Sequence, residues 1–264
     1  MADDVTSFFV ADGDTFFGQP PTRGPWSRDH CHAGPVTGLI ARAVENLVGA
    51  EKTLTRLTVD LSQPSPMNGF RIDANLVRTG RTVATALAVV RDLDDRVCAT
   101  AASLHVAARD IGPVPTVPAP ALDRQQATAG LFPIQRTNHS ESCFPNYVDV
   151  AYPPGEGPEP GPTTLWMRTL PLLPDEEASP FQRLCPLADC GNGTSRNAEL
   201  SDYAFMNADI TIVAHRMPTS DWLASSAHSH WHSSGMGMAQ AVIHDEQGPV
   251  ATVLQTVILN PVRT

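Results

Sequence analysis

Two polar side chains stand out because their surroundings are apolar. Asp189 lies in LCPLADCGNG, flanked by Leu187, Ala188 and Cys190. A carboxylate partly buried there keeps a proton more readily than one in water, which suits it to act as a base. Gln255 is the strongly polar residue of VATVLQTVIL. A buried amide needs partners, and a bound water together with Asp189 would supply them. The other reading of the pair is architectural: Gln255 bridges strands and Asp189 caps a helix. On the residues alone both readings stay open.

Histidines and cysteines invite other chemistry. His228, His230 and His232 alternate along one stretch and would share a face of a strand. Two such side chains can hold zinc only with a further ligand from elsewhere, so the run reads as a solvated strand face. His30 and His32, in DHCHAGP, read as the start of a helix rather than as ligands. Cys185 and Cys190 lack a zinc-site spacing, and the five cysteines read as reduced thiols. No metal and no cofactor is expected. GMG at 235–237 is too short to cradle a phosphate. No GxSxG occurs, which disfavours a nucleophile-elbow hydrolase.

The elements that must position these residues are organised as a long repeat. LTVDLSQPSP from Leu57, then RTVATALAVVRDLDDR and VCATAASLHV, find counterparts in DITIVAHRMP from Asp209, GMGMAQAVIHDEQG and PVATVLQTVIL. A period this long means two copies of a domain, not a solenoid. The first copy opens on short strands and a turn, then a helix over about 33–49 with Val36, Leu39, Ile40, Ala43, Val44 and Leu47 at helical spacing. Gly34 and Gly38 near its start suggest close packing against another backbone. An antiparallel meander follows over about 55–107, with turns at Thr79–Arg81 and Leu93–Arg96. NYVDVAY and TTLWMRTL read as strands of the second copy. A second helix is expected over about 180–203, then strands at about 207–214, 221–233, 236–245 and 249–260.

The chain has 264 residues and a net charge of −10, so nonspecific binding to nucleic acid or to an anionic membrane is not expected. No apolar run reaches the ~20 residues of a membrane span. The opening MADDVTSFFVADGD lacks the basic and apolar regions of a signal peptide, and a cytoplasmic location is expected.

A helix wrapped by an antiparallel sheet, twice over, resembles the double-hotdog acyl-CoA thioesterases of the bacterial thioesterase II type and their thioesterase-like relatives. The pieces that carry the resemblance are GPWSRDHCHAGPVTGLIARAVE, LADCGNG, NADITIVAHRMPTSDWL and GPVATVLQTVIL. It implies an α+β tandem double hotdog, each copy a long central helix wrapped by an antiparallel β-sheet. The expected division is an N-terminal hotdog over 1–110, a Pro-rich connector over 111–140 and a C-terminal hotdog carrying the site over 141–264. It implies hydrolysis of acyl-CoA thioesters, with Asp189 as base and Asn207 and Gln255 orienting the water. Thioesterase II usually has Thr where Asn207 stands, and Asn can still hydrogen-bond a water. Gly34 and Gly38 would line the substrate-facing surface, and an N–H near a helix start would polarise the carbonyl. The first copy has no matching acid between Cys31 and Arg42 and no Gln on its last strand, so one site per chain is expected. Any homo-oligomer would be built of whole double-hotdog units. The alternative function is a non-catalytic acyl-binding protein. Hotdog hydratases pair an Asp and a His at a spacing that Asp29 and His32 do not match.

Overall fold

The computed structural model describes residues 5–119, 122–134 and 139–262, so part of the expected connector, at 120–121 and 135–138, lies outside them. In the first half, β1 (Phe9–Asp12) and β2 (Thr15–Gly18) form a hairpin before α1 (Ala33–Val48). Then come β3 (Thr53–Leu61), β4 (Phe70–Thr79), β5 (Val83–Asp92) and β6 (Val97–Val106). The second half opens on β7 (Thr128–Gly130), β8 (Asp149–Tyr152) and β9 (Thr163–Arg168). It continues through α2 (Pro180–Ala188), the short α3 (Gly191–Thr194) and β10 (Tyr203–Asn207). It ends on β11 (Asp209–Ala214), β12 (Leu223–Trp231), β13 (Met236–Asp245) and β14 (Gly248–Pro261).

These strands form one antiparallel sheet of 14 among the described residues, in the order β1-β2-β4-β5-β6-β3-β11-β14-β13-β12-β9-β8-β7, with β10 on β14. The halves join where β3 pairs β11, from Asp60 opposite Asp209 to Arg56 opposite Val213. Left open, these two edges would be templates for pairing with other chains; each closes the other.

Strand periodicity decides which face is buried. In β14 the inward row is Val253, Gln255, Val257 and Leu259, while Thr252, Leu254, Thr256 and Ile258 face out. Gln255 therefore sits in an otherwise apolar row and must find partners inside. On β5, Ala84, Ala86 and Ala88 point inward and are buried. These small side chains let α1 settle close to the sheet through Val36, Leu39, Ile40 and Val44. Leu47, expected on this stripe, is exposed in the last turn.

The second helix departs from expectation. It was expected over 180–203 as a long central helix, but α2 has nine residues and ends at Ala188. Its start is well built, with Ser179 as N-cap accepting the N–H of Gln182 and Pro180 in the first turn. Pro186 lies inside it and removes a backbone donor, and Gly191 and Gly193 follow at once. The chain turns at Asp189 and Cys190, makes one more helical turn as α3, and becomes β10 by Tyr203. Asp189 thus stands at a helix end rather than along a helix.

The β13–β14 turn is pinned by an ion pair on a buried carboxylate. Arg216 donates two hydrogen bonds to Asp245, at 2.7 and 2.6 Å, and the Thr219 and Gln247 N–H groups add two more. Burial opposes ionisation of Asp245, yet these donors outweigh it and hold the carboxyl well below the usual carboxylate range. Asp245→Asn weakens these charge-assisted hydrogen bonds and leaves Arg216 a partly exposed cation, so it should lower stability by about 1–3 kcal/mol in urea unfolding at neutral pH. Because the folded carboxyl lies below its unfolded value of about 3.9, its contribution is complete above that value and is lost as pH falls through the folded one. The wild type should lose more stability than Asp245→Asn as the pH is lowered past about 4.

Candidate active site

A cavity of about 450 Å³ lies where the halves meet. Its apolar wall includes Trp26, Val36, Phe132, Ile134, Phe144 and Phe205. His32, Asp189, Asn192 and Asn207 gather at its polar end. The wall draws on the segment before α1, on Phe132, Ile134, Phe144 and Pro145, and on β10, so residues far apart in sequence share one space.

Asp189 is the centre of the polar end. Only 6% of it is exposed. Its Oδ1 accepts from Asn207 Nδ2 at 2.8 Å. Its Oδ2 accepts from the backbone N–H of Gly34 at 2.8 Å and lies 2.9 Å from His32 Nδ1. Gly34 permits this approach: a Cβ there would stand 2.8 Å from the Pro186 carbonyl oxygen and 3.0 Å from Asp189 Cβ.

Gln255 works from behind. Its Oε1 accepts the N–H of Asn192 at 2.9 Å, and its Nε2 donates to the main-chain carbonyl of Asp189 at 3.2 Å. It is 1% exposed and is not among the residues lining the cavity. Its amide thus holds the turn that presents Asp189. Asn192 also donates from its side chain to Asn207 Oδ1 at 3.4 Å.

The three residues named from sequence converge, Asp189 and Asn207 on the cavity and Gln255 beneath it. Gly34 and Gly38 do not line the cavity. Both are helix-packing positions: Gly34 admits α2, and a Cβ on Gly38 would meet Leu172 Cδ2 at 2.8 Å. The Gly34 N–H, a candidate for polarising a substrate carbonyl, is taken by Asp189.

His32 is the N-cap of α1, as the helix-start reading of DHCHAGP has it, but that reading missed its contact with Asp189. Asn192 was missed too. The signal for His32 was its place two residues before Gly34; for Asn192 it was the GNG turn needing a partner for its backbone. On β12 the rings of His228 and His230 meet edge to face, with centroids 5.2 Å apart, and His232 lies past the strand end with Nδ1 at Ser234. No group of three His, Cys, Asp or Glu placed to hold a metal ion occurs among the described residues. No helix among the described residues is long and apolar enough to cross a membrane. The five cysteines are unpaired and buried.

Comparison with known proteins gives the family and the fold. Residues 22–106 match the acyl-CoA thioesterase N-terminal domain, and residues 115–259 match the acyl-CoA thioesterase C-terminal domain. The chain belongs to the acyl-CoA thioesterase family. Among solved structures it is similar to a hot-dog-fold protein from Alicyclobacillus acidocaldarius, at TM-score 0.72 and 17% identity over 98% of this chain and 97% of that one. It is also similar to the tesB protein of Mycobacterium avium subs paratuberculosis, at TM-score 0.65 and 16% identity over 97% of each chain. A third is the acyl-CoA thioesterase II TesB2 of Mycobacterium marinum, at TM-score 0.60 and 16% identity over 94% of this chain and 92% of that one. The likeness establishes a hot-dog fold, mostly antiparallel sheet with few helices. No curated protein matches the chain in sequence.

Gln255 supplies the test of how the site is built. Replacing it by Leu leaves the Asn192 N–H and the Asp189 carbonyl buried without their partner. Gln255→Leu should cost about 1–3 kcal/mol in urea unfolding. Thr256→Ala, on the exposed side of the same strand, should change stability by less than about 0.5 kcal/mol.

Proposed function

We propose that the protein hydrolyses acyl-CoA thioesters to a free carboxylic acid and CoA. The observation that carries this reading is the Asp189 carboxylate, held by Asn207 and Gly34 at the polar end of an apolar cavity. An apolar space with a few converging polar groups suits an acyl chain whose reacting end meets the polar wall. Thioester hydrolysis needs a placed water and a group on which removal of its proton depends. Asp189 fills that role. Asn207 fixes the carboxylate through Oδ1, and Gln255 fixes the backbone that carries it. We read the chain as two hotdogs, over 1–110 and 141–264, with 111–140 between them and the reacting groups contributed chiefly by the second. Membership of the acyl-CoA thioesterase family supports the substrate class.

Purified protein should turn over members of a panel of acyl-CoAs from acetyl to palmitoyl, read as free thiol released. Asp189→Asn keeps the size of the side chain and should lower kcat by about 100-fold or more. Full activity in Asp189→Asn would remove Asp189 from the chemistry. Tight acyl-CoA binding with no turnover across the panel would instead assign the chain to the acyl-binding alternative.

A further inference from the structure

His32 is held as a catalytic imidazole would be. Its Nδ1 lies 2.9 Å from Asp189 Oδ2. The Gly34 N–H is nearer that same oxygen, at 2.8 Å, than it is to Nδ1, at 3.3 Å. A ring nitrogen so close to a carboxylate oxygen carries a hydrogen and donates it; this assigns the tautomer from the network. In the neutral ring the lone pair is then on Nε2. The ring lines the cavity, and Nε2 has no hydrogen-bond partner among the described residues. Its plane is clamped as well. It stacks on Phe144, with centroids 4.3 Å apart and planes 11° from parallel. The His32 N–H donates to the Thr22 carbonyl, and the Phe144 N–H donates to that of Arg23. The other ionisable groups near His32 include Arg23, His139, Cys143 and Cys190 on neighbouring segments, with His30 and Cys31 on its own segment.

We infer that His32 is a catalytic residue of this site, the group that takes the proton from the attacking water, with Asp189 as the carboxylate that orients it. The inference rests on the thioesterase reading and names the atom through which its proton passes. Water oxygen bonds to the thioester carbonyl carbon as its proton moves to His32 Nε2. The imidazolium so formed is stabilised by Asp189 across the Nδ1 hydrogen bond. The tetrahedral intermediate then expels the CoA sulfur with the electrons of the C–S bond. The proton on Nε2 passes to that sulfur, giving the acid and CoA thiol and restoring the neutral ring.

His32→Asn separates this role from a merely structural one. Asn is a favoured N-cap, and its amide can donate to Asp189 where Nδ1–H did, but it has nothing in place of Nε2. The expected result, on the acyl-CoA giving the fastest turnover, is a kcat lower by about 100-fold or more. KM should change little, and the acidic limb of the kcat–pH profile should disappear. A second measurement uses the wild type. Carbethoxylation of His32 by diethyl pyrocarbonate, mapped by mass spectrometry, should abolish turnover and be slowed by a non-hydrolysable acyl-CoA thioether. Wild-type kcat and an unchanged pH profile in His32→Asn would overturn the inference, as would full turnover by protein carbethoxylated at His32. If His32→Asn is active while Asp189→Asn is inert, Asp189 is the base itself and the thioesterase reading stands. If the wild type turns over no acyl-CoA, the thioesterase reading falls and this inference with it.

Discussion

The hydrogen bond from the Gly34 N–H to the Asp189 carboxylate is the constraint on which the junction of the two halves depends. It links the first turn of α1 to the end of α2 across 155 residues of sequence. It exists only because position 34 has no side chain, so the backbone of Pro186 can come within the space a Cβ would fill. From it the rest follows. The carboxylate is fixed at the mouth of a helix start, where a negative charge is favoured. Asn207 and His32 can then meet it from two further directions. An alanine at 34 would press on backbone, which cannot yield as a flexible side chain can.

The sheet carries this arrangement without taking part in it. β14 presents Gln255 from its inward row, and the amide engages two backbone groups of the turn between α2 and α3. The strand therefore sets the height of Asp189 above the sheet. Gly191 belongs to the same contact: a Cβ there would stand 2.8 Å from Gln255 Oε1. Two glycines thus bracket the acid, one in each half, and each marks a close approach of backbone to a neighbouring group.

Much of the sheet was legible from the chain because period-two alternation is local. The bounds of β13 and β14 and the turn at Leu93–Arg96 follow from it. The second helix was not legible, because LCPLADC is as apolar as a helix interior and its end depends on Pro186 and the glycines after it. Asp189 and Gln255 could be found because each is polar in an apolar stretch. Asn207 came only through the family resemblance. His32 escaped because its local role, capping α1, already accounted for it; its second role needs a partner from the other half of the chain. A site built on such contacts shows its parts in the sequence but not which of them meet.

The β3–β11 seam has a bearing on concentration. A site completed by a second molecule comes apart on dilution, since its parts are then free to diffuse away. Here the N–H of Gly34 and the ring of His32 lie in one half, and Asp189, Asn207 and Gln255 in the other, yet both belong to one chain. Their meeting is intramolecular, at an effective concentration that dilution does not alter. The polar cluster stays assembled for as long as the chain stays folded, however scarce the protein.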